Sequence, residues 1–311
     1  MRRDLRIVFM GTPHFAVPSL DILVQNNYNV VGVITAPDKP AGRGQQLHQS
    51  AIKKYAVENG LPVLQPEKLK NPEFIAELKS FDANLFIVVA FRMLPEIVWQ
   101  MPEYGTFNLH ASLLPQYRGA APINWAVING EKETGVTTFF LQHEIDTGDI
   151  ILQEKIKIDD EDNAGTVHDK LMNVGSTLVL KTVQAIEENS VKEQAQSNAP
   201  AKHAPKIFKE TCLIDWHKSA SEIHNLIRGL SPYPSAFTHL DGKVLKIFAA
   251  RIRPITSRET GDSGLLSMDL STDNKTYLSF KCLDGWLDIL ELQLEGKKRM
   301  KVDEFLRGHK F

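Results

Sequence analysis

Two polar residues, Asn108 and His110, interrupt the apolar run TFNLH at positions 106–110. The run has the composition of a strand, in which side chains alternate between two faces, so both polar groups are expected on the same side. A polar face between buried neighbours costs free energy unless its groups are paired or used. A histidine satisfied within the core is the alternative interpretation for His110 taken alone.

Asp146 gives this pair a third member. It follows a second strand-like run, GVTTFFL (135–141), in a loop closed by Gly148. Neighbouring strands deliver their ends to one edge of a sheet, so the carboxylate is expected to approach His110, orient its ring and favour its charged form. Asn108 and a cationic His110 would then stabilise an oxyanion and shuttle a proton. A turn-capping aspartate is the alternative for Asp146.

No serine or cysteine is placed beside this trio as a nucleophile, which favours direct transfer without a covalent enzyme intermediate. The turn after the first strand argues against a nicotinamide dinucleotide. Gly11 is not followed by the further glycines of that fingerprint, and Pro13 stands where the second is needed. The simpler interpretation is a tight turn at the edge where open α/β sheets bind ligands.

The elements that must position the trio alternate between strands and helices. Strand-like runs are expected at 5–11, 29–37, 84–91, 106–110, 135–141 and 149–158, and helices at 18–27, at 50–60 and from Thr166, a possible cap. In the N-terminal part this alternation predicts an α/β fold with an open, right-handedly wound parallel sheet.

The C-terminal part has a different pattern. A helix at 219–230 precedes alternating runs at 244–254, 276–283 and 286–296, which predict a small β-barrel. Residues 189–206 lack aromatic residues and hydrophobic periodicity and resemble a linker. The expected domains are therefore 1–188, the linker 189–206, and 207–311.

Composition narrows the class of protein. The 311 residues are 42% hydrophobic and 24% charged, and the two cysteines fit neither a zinc site nor a disulfide framework. Neither a signal peptide nor a membrane helix is expected, which favours the cytoplasm. The net charge is −2, but from position 206 onward 17 Lys and Arg face 14 Asp and Glu. This excess weakly favours a negatively charged partner; ordinary solvated faces are the alternative.

The motif FNLHASLLPQYRG (107–119), followed by GVT and IDTGDI, resembles the signature of the folate-dependent formyltransferases. The resemblance implies a Rossmann-like catalytic domain and a C-terminal barrel similar to an OB fold. It implies 10-formyltetrahydrofolate as donor and, in the members that the whole chain resembles, the amino group of methionyl initiator tRNA as acceptor. Asn108, His110 and Asp146 match the catalytic trio. The residues that match the folate-contacting run are Ser112, Leu113, Leu114 and Pro115.

The family resemblance also suggests where RNA would bind. The loop at 35–47, which includes Lys39 and Arg43, resembles an insertion of the tRNA-specific members that meets the acceptor end. In the C-terminal domain, Lys297, Lys298 and Arg299 form a basic cluster suited to an RNA backbone. The alternatives are a solvated glycine-rich loop and a solvated β-turn.

Two rival functions remain open at this point. One is a formyltransferase that acts on a nucleotide sugar or a purine-pathway amine, which the trio alone does not distinguish. The other is a non-catalytic RNA-binding protein, against which the intact Asn108, His110 and Asp146 argue. No metal, membrane or obligate protein partner is expected.

Overall fold

The computed structural model describes residues 2–41, 46–197, 199–254 and 270–311. The chain divides into two compact units. The first unit comprises Met1–Gly119, Glu133–Ile156 and His168–His203, and the second comprises Ala120–Lys132, Lys157–Val167 and Ala204–Phe311.

A seven-stranded sheet forms the centre of the first unit. The strands up to residue 204 are β1 (Arg6–Gly11), β2 (Asn29–Ile34), β3 (Lys39–Ala41), β4 (Gln46–His48), β5 (Val63–Leu64), β6 (Leu85–Val89), β7 (Thr106–His110), β8 (Arg118–Gly119), β9 (Glu133–Phe140), β10 (Ile150–Lys157) and β11 (His203–Ala204). The order in the sheet is β10-β9-β7-β6-β1-β2-β5. Strands β5, β2, β1, β6 and β7 run parallel, as predicted, whereas β9 pairs antiparallel with β7.

Burial explains why these segments form the sheet. All five residues of β6 are buried, and β1 is buried from its second residue onward. A strand covered on both faces has a nearly continuous apolar sequence, which is the pattern of a parallel sheet. Three parallel strands, β1, β6 and β7, therefore present their carboxyl ends at one edge.

The helices of this part of the chain are α1 (Val17–Gln25), α2 (Ala51–Glu58), α3 (Pro72–Ser80), α4 (Glu96–Trp99), α5 (Pro122–Ile128) and α6 (Ala164–Glu187). The prediction that Thr166 caps α6 is wrong. Asn163 precedes the helix, and its Oδ1 accepts a hydrogen bond from the Thr166 backbone at 3.0 Å. The Thr166 hydroxyl accepts in return from the Asn163 backbone, so Thr166 completes a reciprocal cap from inside the helix.

The second unit contains one antiparallel sheet with a helix before it. Its elements include α5, given above, and α7 (Ala220–Leu230), β12 (Ala236–Leu240), β13 (Lys243–Pro254), β14 (Leu270–Thr272), β15 (Leu278–Lys281), β16 (Gly285–Leu294), β17 (Met300–Lys301) and α8 (Val302–Gly308). The order is β12-β13-β16-β15-β14, with β17 beside β16. The predicted second domain of antiparallel strands is confirmed.

The core of the second unit holds both cysteines. Cys212 and Cys282 are free, buried thiols. Burial raises the pKa of Cys282 to about 12, so this thiol stays protonated at neutral pH. In the described part of the chain, no helix combines the length and the apolar character needed to cross a bilayer.

Helix α7 begins with a capping box whose contribution to stability is measurable. The Ser219 side chain accepts from the Glu222 backbone, and the Glu222 carboxylate accepts from the Ser219 backbone at 3.1 Å. We expect Ser219→Ala to lower the free energy of unfolding by about 1 kcal/mol, because α7 would lose its N-terminal cap. Urea titration followed by far-UV circular dichroism measures the change. Ser221→Ala, an exposed position in the same helix, is the control, and equal midpoints for the two variants would contradict the role of the cap.

Candidate active site

Strand β7 places Asn108 and His110 at the carboxyl edge of the first unit's sheet. Asn108 lies between Val88 of β6 and Phe139 of β9, and His110 is the last residue of the strand. Leu109 points the other way, since a Cβ on Gly175 of α6 would lie 2.8 Å from its side chain. The strand alternation predicted from the sequence therefore holds, and both polar side chains share the opposite face.

His110 and Asp146 come together as a buried pair. His110 Nδ1 lies 3.8 Å from Asp146 Oδ2, and their side chains are 7% and 13% exposed. His110 Nε2 lies 2.9 Å from the Tyr117 carbonyl oxygen. A carbonyl only accepts, so Nε2 carries the hydrogen in this contact. Nδ1 is the ring nitrogen left to face Asp146, at a distance too long for a hydrogen bond.

The Asp146 turn is fixed by contacts that the sequence pattern does not contain. Asp146 Oδ2 accepts a hydrogen bond from the Gly119 backbone at 2.9 Å. The residue adopts a φ of 56°, a left-handed conformation that aspartate tolerates better than most residues. A Cβ on Gly148 would collide with the Phe140 carbonyl, so only glycine allows the turn to lie this close to β9.

The Asn108 amide has no partner among the described residues. The side chain is half-buried, and it makes no hydrogen bond with any residue in the described ranges. The amide atoms are not among the described side-chain atoms that are buried without a partner, so they keep contact with solvent. The amide is therefore open to a ligand group that accepts a hydrogen bond on the strand face that also carries His110.

The run predicted to contact folate divides into two kinds of residue. Ser112 is buried, and its hydroxyl donates to the Gln116 carbonyl at 2.6 Å. Leu114 is buried beside Phe139. Leu113 and Pro115 are partly exposed, so their side chains are the ones that a ligand reaches most readily.

Thr137 and Gln153 hold this run in place, and the sequence reasoning missed both. The Thr137 hydroxyl accepts from the Leu114 backbone at 3.1 Å and donates to the Ser112 carbonyl at 2.6 Å. The Gln153 amide donates to the Leu114 carbonyl at 2.9 Å. Both strands contain other polar residues as well, so the sequence does not single out positions 137 and 153.

The loop expected to meet RNA is described only at its two ends. Arg43 lies outside the described residues, and Lys39 is exposed on β3. Next to it, Asp38 pairs with Lys53 and accepts from the Gln65 amide at 2.8 Å. The hydrogen bond from Lys53 and, to a smaller extent, the one from Gln65 hold the pKa of the Asp38 carboxyl below its ordinary value. The base of the loop is therefore anchored to α2 and to the segment after β5.

The basic cluster of the second unit is only partly available to a partner. Lys297 and Lys298 are exposed. Arg299 donates to both Glu291 oxygens, at 2.7 and 2.5 Å, and its guanidinium lies 4.2 Å from the Phe248 ring centroid. A bidentate pair neutralises much of the Arg299 charge, so the two lysines present the positive field of this turn.

Among the described residues, no three metal-ligating side chains form a group that could hold a metal ion.

Two family models match the chain. The model of the formyl transferase family matches residues 5–183, and that of the formyl transferase C-terminal domain matches residues 206–310. Methionyl-tRNA formyltransferase of Bacteroides fragilis is 56% identical over 316 residues, which cover 99% of this chain and 96% of that protein. The protein of the same name from Phocaeicola vulgatus is 59% identical over 320 residues, with 99% and 97% covered.

A solved structure supports the fold. WlaRD, a sugar 3N-formyltransferase crystallised with dTDP and 5-N-formyl-THF, superimposes with a TM-score of 0.67 at 22% identity, and the match covers 95% of this chain and 100% of that chain. At this identity the likeness extends to the fold alone. Two matching domain models and relatives above 50% identity nevertheless lead to one conclusion: the chain belongs to the formyl transferase family.

Proposed function

We propose that this protein transfers the formyl group of 10-formyltetrahydrofolate to the free amino group of methionyl initiator tRNA. The observation that carries the proposal is the Asn108 amide, which has no partner within the described ranges and lies on the same strand face as His110 of the buried His110–Asp146 pair. The relatives named methionyl-tRNA formyltransferase, matched over nearly their whole length, support the choice of acceptor. These relatives are bacterial, which supports a cytoplasmic location.

The reaction needs a group that accepts developing negative charge. The neutral amine of the methionyl group attacks the formyl carbon, a C–N bond forms, and the carbonyl oxygen becomes an oxyanion. Collapse of this tetrahedral intermediate breaks the bond from carbon to the folate nitrogen, and the proton from the amine passes to that nitrogen. A preorganised donor beside the oxygen stabilises the transition state more than the ground state.

Asn108, His110 and Asp146 divide this work in the proposed mechanism. The Asn108 amide donates to the oxyanion. His110 adds positive charge near it, and Nδ1 is the nitrogen available for proton movement, because Nε2 faces Tyr117. The Asp146 carboxylate offsets the charge that develops on the ring.

The folate and RNA contacts are proposed from the exposed residues. Leu113 and Pro115 offer apolar surface to the flat pterin ring, and Ser112 and Leu114 hold the backbone between and around them. For tRNA we propose Lys39 and Arg43 in the first unit and Lys297, Lys298 and Arg299 in the second. We also propose the division into a catalytic domain (1–188), a linker (189–206) and a tRNA-binding domain (207–311).

A direct assay tests the proposed function. The full chain is incubated with 10-formyltetrahydrofolate and methionyl initiator tRNA, and N-formylmethionyl-tRNA is measured after acid gel separation. Parallel reactions contain a dTDP-amino sugar or unacylated tRNA instead. Product only with methionyl-tRNA is expected. Formylation of the sugar in preference to methionyl-tRNA would overturn the choice of acceptor.

The role of Asp146 is tested by an isosteric change. Asp146→Asn keeps an oxygen that accepts from Gly119 but removes the carboxylate charge beside His110. We expect kcat to fall by about 10²–10⁴-fold, the usual contribution of acid–base assistance. Glu144→Gln makes the same chemical change at an exposed position in the same loop and should leave kcat unchanged. Near-normal kcat in Asp146→Asn would remove this carboxylate from the mechanism.

The role of Arg43 is tested by the salt dependence of binding. Arg43→Ala should raise KM for methionyl-tRNA and reduce the slope of log Kd against log salt by about 0.7–0.9, the value for one lost phosphate contact. Lys70→Ala removes one positive charge from an exposed position of the same unit and is the control. An unchanged slope in Arg43→Ala would contradict a phosphate contact.

A further inference from the structure

Gln196 makes a set of contacts unusual for a residue in a predicted linker. Its amide nitrogen donates to the carbonyls of Asp146 and Gly148, each at 2.8 Å. Its amide oxygen accepts from Arg118 Nε at 3.1 Å and from Arg118 Nη2 at 2.6 Å. Both hydrogens of the side chain are therefore used, and its oxygen receives a forked pair from one guanidinium.

The amide nitrogen of Gln196 holds the turn that carries the Asp146 carboxylate. One residue separates Asp146 from Gly148, and the single amide group bridges their two carbonyls. Asp146 has a left-handed backbone, a conformation that persists in non-glycine residues only where surrounding contacts enforce it. The Gln196 amide supplies two such contacts from 50 and 48 residues away in the sequence.

The amide oxygen of Gln196 holds the segment that faces His110. Arg118 lies between Tyr117, whose carbonyl meets His110 Nε2, and Gly119, whose backbone donates to Asp146 Oδ2. A shift of Arg118 therefore moves a contact of each member of the pair. Gln196 joins the two segments on which the distance between His110 and Asp146 depends.

We propose that Gln196 is a positioning residue that fixes the distance between the Asp146 carboxylate and the His110 ring. The effect on catalysis rests on the proposed formyl transfer, whereas the effect on geometry does not. Glutamine suits the role because it donates twice and accepts at the same time. A glutamate would still pair with Arg118, but its second oxygen would face two carbonyl oxygens, and none of these oxygens can donate. An alanine would remove the contacts with Arg118 and with both carbonyls.

The experiment compares Gln196→Ala, Gln196→Glu and Gln194→Ala in the full chain. Gln194 is the matched control, because its side chain is exposed and makes no hydrogen bond with the described residues. Its backbone bonds to Ile150 survive the change to alanine. For each variant, kcat and KM are measured for both substrates. The exchange rate of the Gly119 amide hydrogen is measured without substrates, since this hydrogen bonds to Asp146.

We expect both Gln196 variants to lose about 10- to 100-fold in kcat, the scale of a misplaced catalytic group, with KM values changed less than about threefold. Gly119 exchange should be faster in both, and Gln194→Ala should match the unaltered protein. Normal kcat in Gln196→Glu would overturn the proposal, because a space-filling or Arg118-pairing role survives that change. Unchanged Gly119 exchange would also overturn it. If the unaltered protein transfers no formyl group, the proposed function fails, and the exchange rates still decide the positioning role.

Discussion

The Asp146 carboxylate oxygen Oδ2 is the point on which the site depends. It accepts a hydrogen bond from the Gly119 backbone and lies 3.8 Å from the His110 ring. The same carboxylate thus fixes the chain beside β7 and supplies the charge that faces the imidazole. Because both interactions use a single oxygen, the turn cannot move without disturbing the electrostatics of the ring. The sheet edge brings the segments together, and this oxygen sets their spacing.

The regular parts of the fold could be predicted because their causes are local. Strands β1 and β6 are continuous apolar runs, and α7 has a capping serine followed three residues later by glutamate. The antiparallel direction of β9 depends on how the chain returns after β7, which no periodicity records. The sequence pattern places the start of α6 at Thr166, which is wrong, because Asn163 and Thr166 cap each other reciprocally and both are residue types typical of a cap.

Only the part of the site that depends on the pattern of side chains could be predicted from the sequence. Alternation along β7 places Asn108 and His110 on one face, and sheet topology brings Asp146 toward them. The partners that fix the pair are the Tyr117 carbonyl and the Gly119 amide. Both are backbone groups, which nearly every residue has, so no residue type in the sequence indicates them. Composition places Gln196 in a linker because composition describes the average of a segment, whereas the contacts of this side chain are with residues 48 to 78 positions away.

We infer that the Asn108 amide, which has no partner among the described residues and shares a strand face with His110, receives the oxyanion of formyl transfer. The most direct measurement is the single-turnover rate of N-formylmethionyl-tRNA formation by Asn108→Ala at saturating substrates. Loss of one such donor costs about 2.7–4 kcal/mol in the transition state, so the account predicts a rate lower by about 10²–10³-fold. A rate within a few fold of the unaltered protein, with both substrates bound, would contradict it.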